Sequence, residues 1–489
     1  MATSTDLEGA RRVLRVVLLA PLFVGSLASC RSATNPDDAE PVQLELLSGD
    51  QQPAFAGAEL TQPLAVRVTR AGKPERDLAV RWRIPQGGGA VSEPMSRTDT
   101  AGVAVTRVTM PIDGAQTLVL AEVEHAAVTF RFHPTLGWMS VGAGYGHTCA
   151  LSTTGQAYCW GRNSRGQVGD GSETERPTPV RVSWGLEFTA LAVGWFHSCG
   201  LRPGGEAYCW GDNGRGQLGV GDVALRQTPA RVATQERFQA IAAGYLHTCG
   251  VTLTGSLLCW GANDHQALGQ PGLATRCPNS PDVCALVPTR VETATTFARV
   301  AAGEFHTCAV AADGAGHCWG FNGDGELGTG GGLGTSPALP QAVAGGLRFA
   351  AIAAHSRHSC ALGTDRTAWC WGRNATGETG QDRHFRTLAP QRVGSASFAS
   401  ISTGNTYSCG VLVTAVAACW GSQSGGEGDF KIPTPIPGLT DVSGVSVGFA
   451  HACAVAASQV WCWGDNGSHQ LGVPSPPDSP TPLRVVFPP

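Results

Sequence analysis

Cysteines are the residues of this chain with the clearest chemistry: there are 17 among 489 residues. Fourteen of them form seven close pairs in the C-terminal two thirds of the chain, two more lie together in an insertion, and Cys30 stands alone. The seven pairs are Cys149 with Cys159, Cys199 with Cys209, Cys249 with Cys259, Cys308 with Cys318, Cys360 with Cys370, Cys409 with Cys419, and Cys453 with Cys462, and the insertion holds Cys277 with Cys284. So many cysteines are ordinary in an exported protein, and an even number after Cys30 predicts a disulfide framework.

Each close pair flanks a turn, which predicts a β-hairpin with its two cysteines opposite each other. In the first unit, pairing that sets Ala150 opposite Tyr158 leaves a three-residue turn that ends in Gly155. Directly opposite residues in a non-hydrogen-bonded pair are close enough for a disulfide. In the seventh unit the cysteines are nine residues apart instead of ten, and a two-residue turn at Ala457–Ser458 restores the same opposition. We therefore predict eight disulfides and no free thiol in the mature protein.

A metal site is the alternative use of these residues. His147 and Cys149 lie on one face of a predicted strand, with Cys159 opposite, and six repeats have this histidine. Structural zinc takes four ligands, and no fourth ligand recurs. We therefore expect no metal and no cofactor, and we expect each histidine to bond to backbone in a neighbouring turn.

Residues for catalysis do not form a recognisable set. The motifs G-x-S-x-G and H-E-x-x-H and the P-loop are absent, and the carboxylates are scattered. We therefore expect the protein to bind a partner and not to act as an enzyme.

One repeated position resembles a binding surface: the residue that follows the glycine of a G-x-x-H motif. In chain order the position is held by Tyr145, Trp195, Tyr245, Glu304, Ser356, Asn405 and Phe449. Its four aromatics, Tyr145, Trp195, Tyr245 and Phe449, would be adjacent on a closed ring. Clustered exposed aromatics are typical of interfaces, which predicts that these four bind the partner. The alternative is that the rings pack inward at the mouth of a channel.

The elements that carry these residues repeat from Trp138 to the C-terminus. Seven Trp-Gly pairs, 43 to 59 residues apart, mark the units, and we number the repeats by them. The pairs begin at Trp160, Trp210, Trp260, Trp319, Trp371, Trp420 and Trp463. A period near 50 with several strands per unit predicts a β-propeller, because each small sheet needs neighbours to bury its faces. We expect the Trp-Gly pairs and the Asn of G-x-N-x-x-G to be structural, and the segment Pro480–Val485 to supply a strand to the first blade.

The signatures CWGRNSRGQVG, CWGDNGRGQLG and CWGFNGDGELG resemble the regulator of chromosome condensation repeat family. The resemblance covers residues 136–489 and implies a seven-bladed propeller. Repeat six departs from the pattern, because Tyr407 replaces the histidine and GSQSGGEGD lacks the Asn. We expect an irregular outer edge there.

Residues 41–135 contain no cysteine and alternate apolar with polar residues, as at Leu64, Val66 and Val68. The stretches PLAVRVTRAGKP, AVRW and TDTAGVAV resemble bacterial immunoglobulin-like domains of the invasin and intimin type, which are spacers on cell-surface proteins. The predicted fold class is therefore all-β, a seven-bladed β-propeller preceded by a small immunoglobulin-like β-sandwich.

The N-terminus has the pattern of an export signal. Arginines at 11, 12 and 15 precede a short apolar core, which ends in Leu27-Ala28-Ser29-Cys30 and resembles the bacterial lipobox. The resemblance implies that residues 1–29 are a signal peptide, that Cys30 is lipidated and that residues 30–40 are a tether. An ordinary signal cleaved near Ala28, or a buried helix, is the alternative.

The net charge of −4, with lysine only at Lys73 and Lys431, gives no electrostatic basis for binding nucleic acid. The sequence thus predicts an extracytoplasmic lipoprotein, attached to a membrane through its lipid, whose propeller binds a protein or glycan partner. One alternative is an envelope hydrolase or lyase built in a propeller. The family resemblance also suggests a guanine-nucleotide exchange factor, which the export signal opposes, or an inhibitor, since a β-lactamase inhibitor protein shares the repeat.

Overall fold

The computed structural model describes residues 40–488, apart from 51, 53, 112–114, 133, 135, 279, 382–385 and 423–428. The predicted signal peptide, Cys30 and all but the last residue of the tether lie outside the described residues. Throughout the described ranges the chain is all-β, and its single helical element is a 3₁₀ turn at Ser183–Gly185. No helix in those ranges is long and apolar enough to cross a membrane.

The N-terminal region forms two four-stranded sheets and one two-stranded pair, which share a core. Its strands are Val42–Ser48, Leu64–Arg70, Lys73–Pro74, Ala79–Gln86, Ala90–Val91, Met95–Arg97, Val103–Thr106, Val108–Thr109, Thr117–Val123 and Ala126–Phe132. Leu64, Val66 and Val68 are fully buried from one sheet, and Val80 and Trp82 are buried from the other. The predicted alternation is confirmed, because these apolar residues face the shared core while Arg81 and Arg83 are exposed; Ala65 is the exception, since it is also buried.

Seven repeats of an antiparallel four-strand pattern follow. The first strands are Trp138–Ala143, Ala190–Val193, Phe238–Ala243, Phe297–Ala302, Phe349–Ala354, the end of Arg386–Thr403, and Val442–Val447. The second strands are His147–Ser152, His197–Leu201, His247–Thr252, His306–Ala311, His358–Gly363, Tyr407–Leu412 and His451–Ala456.

The outer half of each repeat completes the pattern. The third strands are Ala157–Gly161, Ala207–Gly211, Leu257–Ala262, Gly316–Gly320, Thr367–Arg373, Ala417–Ser422 and Gln459–Asp465. The fourth strands are Arg176–Arg181, Arg226–Arg231, Cys284–Arg290, Gln341–Ala342, the start of Arg386–Thr403, Asp429–Pro435 and Asp478–Arg484. The 18-residue strand Arg386–Thr403 joins repeats five and six into one seven-stranded sheet.

The first strands of neighbouring repeats contact one another around a ring, and those of repeats seven and one also meet. No sheet in the described part of the chain closes into a barrel. The ring is therefore closed by packing between sheets.

The C-terminal segment does not pair as expected. Strand Asp478–Arg484 pairs with the third strand of repeat seven, with Leu483 opposite Cys462, and does not supply a strand to repeat one. The expectation was wrong because the P-x-R-V element belongs to the sheet of the Trp-Gly pair that precedes it. Beyond the strand, the tail packs on repeat one: the Phe487 ring stacks on Trp138 with centroids 3.6 Å apart.

Tryptophan side chains join the repeats, as expected for a structural role. All seven Trp-Gly tryptophans are fully buried. Trp210 of repeat two donates its Nε1–H to the backbone oxygen of Gln167 in repeat one, at 3.0 Å. The nearby Gly169 has φ +77°, and a Cβ there would lie 2.6 Å from Trp210 Nε1. Only glycine allows this loop to lie so close to the indole.

Candidate binding face

The cysteines pair as predicted, in eight disulfides. In repeat one Cys149 lies directly opposite Cys159, with Cα atoms 4.1 Å apart, and Ala150 lies opposite Tyr158. In repeat seven the nine-residue spacing between Cys453 and Cys462 closes on the two-residue turn Ala457–Ser458, where both φ angles are positive.

The five repeats between these two have the same register, with bonded cysteines directly opposite each other on the second and third strands. Their disulfides are Cys199 with Cys209, Cys249 with Cys259, Cys308 with Cys318, Cys360 with Cys370, and Cys409 with Cys419. Each disulfide of the repeats therefore lies within one sheet, and none joins two repeats.

The disulfide Cys277–Cys284 closes the insertion of repeat three into a loop. Within this loop the Asp282 carboxylate lies 2.5 Å from Arg215 Nη2. This ion pair therefore links the insertion of repeat three to repeat two.

Six histidines form hydrogen bonds that link every repeat but the sixth to the next one around the ring, and we call them the histidine belt. Each Nε2 lies 2.8 to 3.0 Å from a Ser or Thr hydroxyl of the next repeat. The pairs are His147–Ser198, His197–Thr248, His247–Thr307, His306–Ser359, His358–Ser408 and His451–Thr148. The last pair joins repeat seven to repeat one and so helps to close the ring.

We expected these histidines to bond to backbone, and that was wrong, because their partners are Ser and Thr hydroxyls. The hydroxyl bridges the histidine and the backbone. Ser198 Oγ donates its proton to the Gln167 oxygen at 3.1 Å, so the same hydroxyl accepts the proton of His147 Nε2. The same oxygen accepts the Trp210 bond described above. The signal was present in the sequence, since a Ser or Thr follows each of these histidines except His451.

The belt histidines are uncharged because they are buried. Loss of solvation lowers the pKa of His147 to about 3, and that of His247 to about 4. The other four belt histidines have a pKa of about 3 for the same reason. The belt is therefore neutral at physiological pH. In the described ranges no group of His, Cys, Asp and Glu is arranged to hold a metal ion.

The belt is interrupted between repeats six and seven. Tyr407 replaces the histidine of repeat six, and Ala452 replaces the hydroxyl of repeat seven. Within the described residues, the buried Tyr407 hydroxyl has no hydrogen-bond partner. The departure seen in the sequence therefore coincides with a missing link between repeats. The predicted irregular edge at 423–428 lies outside the described residues.

The asparagines of the G-x-N-x-x-G motifs stabilise the loops that follow the third strands, as predicted for a structural role. Asn163 Oδ1 accepts the backbone N–H of Val168 at 2.9 Å, and its Nδ2 donates to the oxygens of Ser172 and Thr174. Asn213 and Asn466 make the equivalent bonds in repeats two and seven. These bonds fix the loops between the third and fourth strands of the repeats.

The loops that follow the first strands converge on a central depression of about 640 Å³. Six of the seven residues at the repeated position line it: Tyr145, Trp195, Glu304, Ser356, Asn405 and Phe449. Tyr245 lies behind this wall, with its ring 4.6 Å from Trp195. The structure therefore brings the predicted partner-binding residues together on one face.

The aromatic side of the depression consists of rings that contact one another. The ring of Tyr145 lies 4.5 Å from that of Phe449 and 5.6 Å from that of Trp195. Trp195 is only 9% exposed and stacks on His355 of repeat five. The rings thus pack inward at the mouth of the channel and also line the depression. Their role in binding a partner stays a prediction.

The opposite side of the depression is charged. Arg357 Nε lies 3.6 Å from Glu304, and its Nη1 lies 3.6 Å from Asp324. Arg373 Nε lies 3.5 Å from the fully buried Glu378. Backbone pairing places the two arginines side by side, since Arg373 N–H donates to the Arg357 oxygen at 2.8 Å. Sequence reasoning missed these residues because they lie at positions whose residue type varies between repeats.

The N-terminal region contacts the other end of the ring. Thr153 Oγ1 donates to the Ala56 oxygen at 3.1 Å. Thr153 lies in the hairpin between the second and third strands of repeat one, and the depression lies at the loops between first and second strands. In an antiparallel sheet these two sets of loops are at opposite ends, so the depression faces away from the N-terminal region.

Comparison with known proteins agrees with this geometry. The family model of the RCC1-like domain matches residues 114–427. The ultraviolet-B receptor UVR8 of Arabidopsis thaliana is 26% identical over 225 residues, which cover 43% of this chain and 50% of the receptor. The chain thus matches about half the length of that relative. Human WBSCR16 has a similar fold with a TM-score of 0.60, 19% identity and coverage of 68% of this chain and 94% of that one.

Prp20p of Saccharomyces cerevisiae has a TM-score of 0.58 and 23% identity, and the match covers 65% of this chain and 82% of that one. At these identities the likeness shows the fold alone. The family model spans more than half of the chain, and the repeats, their sheets and the solved relatives agree with it. The chain belongs to the RCC1-like domain family of β-propellers.

Proposed function

We propose that this protein is a binding module that docks a partner in the central depression of a seven-bladed propeller. On this proposal it is an extracytoplasmic lipoprotein, anchored through Cys30, and residues 41–135 are an immunoglobulin-like spacer. The partner is a protein or glycan of the envelope or the cell exterior.

One observation carries the proposal: a position repeated around the ring lines a single depression, yet it is aromatic on one side and polar on the other. A position that served only the core would keep one character in every repeat, as the buried tryptophans do. Asymmetry on a nearly symmetric ring is expected where an asymmetric partner docks.

Two further facts support a binding role. The solved relative Prp20p is described by its binding to Gsp1p and histones. The depression also faces away from the N-terminal region, through which the proposed tether would reach the membrane. A partner in solution or on another surface would therefore reach the depression without obstruction by the spacer.

The enzyme alternative has weaker support. Carboxylates do lie at the mouth of the channel, as such an enzyme requires, but Glu304 and Asp324 both face the Arg357 guanidinium. His355, whose backbone oxygen accepts the Glu304 N–H, has its pKa lowered to about 3 by burial, so it is a weak base.

Site-specific photocrosslinking in intact cells tests the proposal. A photoreactive phenylalanine analogue at Asn405, on the polar rim, should yield a covalent adduct with a partner. The same analogue at Leu253, which is 62% exposed in a hairpin at the opposite end, serves as the matched control. Equal adducts at both positions, or adducts only at Leu253, would contradict docking in the depression.

A further inference from the structure

The two sides of the depression differ in what they can offer to a ligand. On the charged side the arginines are at the surface: the Arg357 side chain is 45% exposed and that of Arg373 is 33% exposed. The carboxylates that face them lie deeper, with Glu304 at 15%, Asp324 at 13% and Glu378 at 0%. Glu304 and Asp324 also line the depression, but the arginines are its most exposed charges on this side.

The guanidinium groups also keep donors for a partner. Their nearest carboxylate oxygens are 3.5 to 3.6 Å away, beyond the 2.7 to 2.9 Å of a charge-assisted hydrogen bond. A guanidinium has five N–H donors in a planar fork that fits a carboxylate. Two such groups side by side on one repeat form a receptor for a carboxylate.

The aromatic side is better suited to a protein than to a sugar. A sugar ring stacks on the open face of an aromatic ring, but the Trp195 face is covered by His355, with 22° between the planes. Tyr145 and Phe449 contact each other instead of standing apart. Packed rings of this kind form a continuous apolar wall, which suits an aliphatic or aromatic side chain of a protein anchor.

We infer that the depression receives a protein segment with an acidic residue beside an apolar one. The carboxylate of the segment binds Arg357 and Arg373, and its apolar side chain packs on Tyr145 and Phe449. This inference rests on the proposed function, because it names the chemistry of the partner for the same depression.

The test selects cyclic peptides from a random display library on the immobilised full chain, and measures the binding of each selected peptide. We expect the peptides to contain Asp or Glu next to an apolar residue. Changing that acid to its amide, or the protein by Arg357→Ala, should weaken binding about tenfold, since hydrogen bonds between charged groups are the strong ones. Arg299→Ala, an exposed arginine outside the depression, is the matched control and should leave binding unchanged.

Each other outcome overturns the inference in a distinguishable way. If peptides lose binding with Phe449→Ala but show no acidic preference, the carboxylate site is wrong and the docking face survives. If neither Phe449→Ala nor Arg357→Ala affects any selected peptide, the proposed function fails as well. If an anionic glycan on an array binds through Arg357 while no peptide does, the partner is not a protein. Arg357→Lys, which keeps the charge and loses the fork, and a melting curve for each variant separate lost contacts from lost folding.

Discussion

The indole of Trp195 in repeat two stacks on the imidazole of His355 in repeat five, with ring centroids 5.7 Å apart and 22° between the planes. These repeats lie three positions apart around the ring, so the pair spans the central channel. The aromatic wall of the depression is therefore also part of the packing that holds opposite repeats together.

Trp195→Ala should destabilise the protein, because it removes a nearly buried indole that contacts rings of four other repeats. Core Trp→Ala changes cost about 3–5 kcal/mol, and we expect about 3 kcal/mol for a site at the surface of the ring. Urea unfolding gives the free energy, and Trp195→Phe, which keeps an aromatic ring, should recover most of it. Unchanged stability of Trp195→Ala would mean that the indole serves only a partner.

The histidine belt predicts that stability falls in acid. The pKa of each belt histidine is about 3 or 4 in the folded chain and about 6.5 when unfolded. The unfolded chain therefore binds more protons between these values, so the stabilisation is complete above pH 6.5 and is lost as the pH falls towards 3. Removing one titrating group with His451→Gln should reduce the slope of the unfolding free energy by about 1.4 kcal/mol per pH unit near pH 5. An unchanged slope would show that this histidine is protonated in the folded protein.

For Glu326 we expect the opposite pH dependence: its contribution to the free energy of unfolding falls as the pH rises. Burial raises the pKa of this fully enclosed carboxyl to about 7, and its Oε1 has no hydrogen-bond partner within the described part of the chain. Its contribution is therefore complete below the unfolded pKa, near 4.5, and is lost as the pH rises through 7. Gln217 and Gln470 occupy the equivalent position in other repeats.

Glu326→Gln should therefore raise stability at pH 8 by up to about 3 kcal/mol, with little change at pH 4.5, when both are measured by chemical unfolding. Glu378→Gln is the control, because that carboxylate faces Arg373 and the change removes a charge pair. A gain of the same size at both pH values would mean that the carboxyl is not the source.

The C-terminal tail should be structural although it lies beyond the last strand. Ending the chain after Arg484 removes Val485, which is 2% exposed, and Phe487, which stacks on Trp138. We expect a loss of about 2–4 kcal/mol, in line with the burial of two apolar side chains, and a lower melting temperature. Phe487→Ala alone should give the larger part of it. A truncated chain that melts normally would show that the first and seventh repeats hold together without the tail.

The proposed lipid attachment at Cys30 predicts that Cys30→Ala abolishes membrane association, because the 16 other cysteines are all in disulfides. Fractionation with and without detergent, together with the mass of the mature N-terminus, measures this. A variant that loses its signal and still sediments with membranes would contradict the lipobox interpretation. Cys30→Ser tests whether the thiol itself is needed.

The parts of the fold that follow from local geometry could be predicted. The spacing of Cys453 and Cys462 was enough to predict the register of their hairpin. If the two cysteines lie opposite each other, only a two-residue turn at Ala457–Ser458 fits between the strands. The sheet to which a P-x-R-V strand belongs was harder to predict. In a periodic sequence, the strand can be assigned either to the sheet that precedes it or to the one that follows it. Arg357 and Arg373 were missed because most other repeats have a different residue type at these positions, so the repeat pattern does not single them out.

The disulfides of the repeats have a consequence for how the chain acquires them. Each one joins cysteines nine or ten residues apart, so the correct partner of every cysteine is also its nearest neighbour within the hairpin. Loop closure over so short a distance has a high effective concentration. As the chain emerges, each pair can be oxidised before the next one is present. Oxidation in this order would form no non-native pair, so it would need little isomerase.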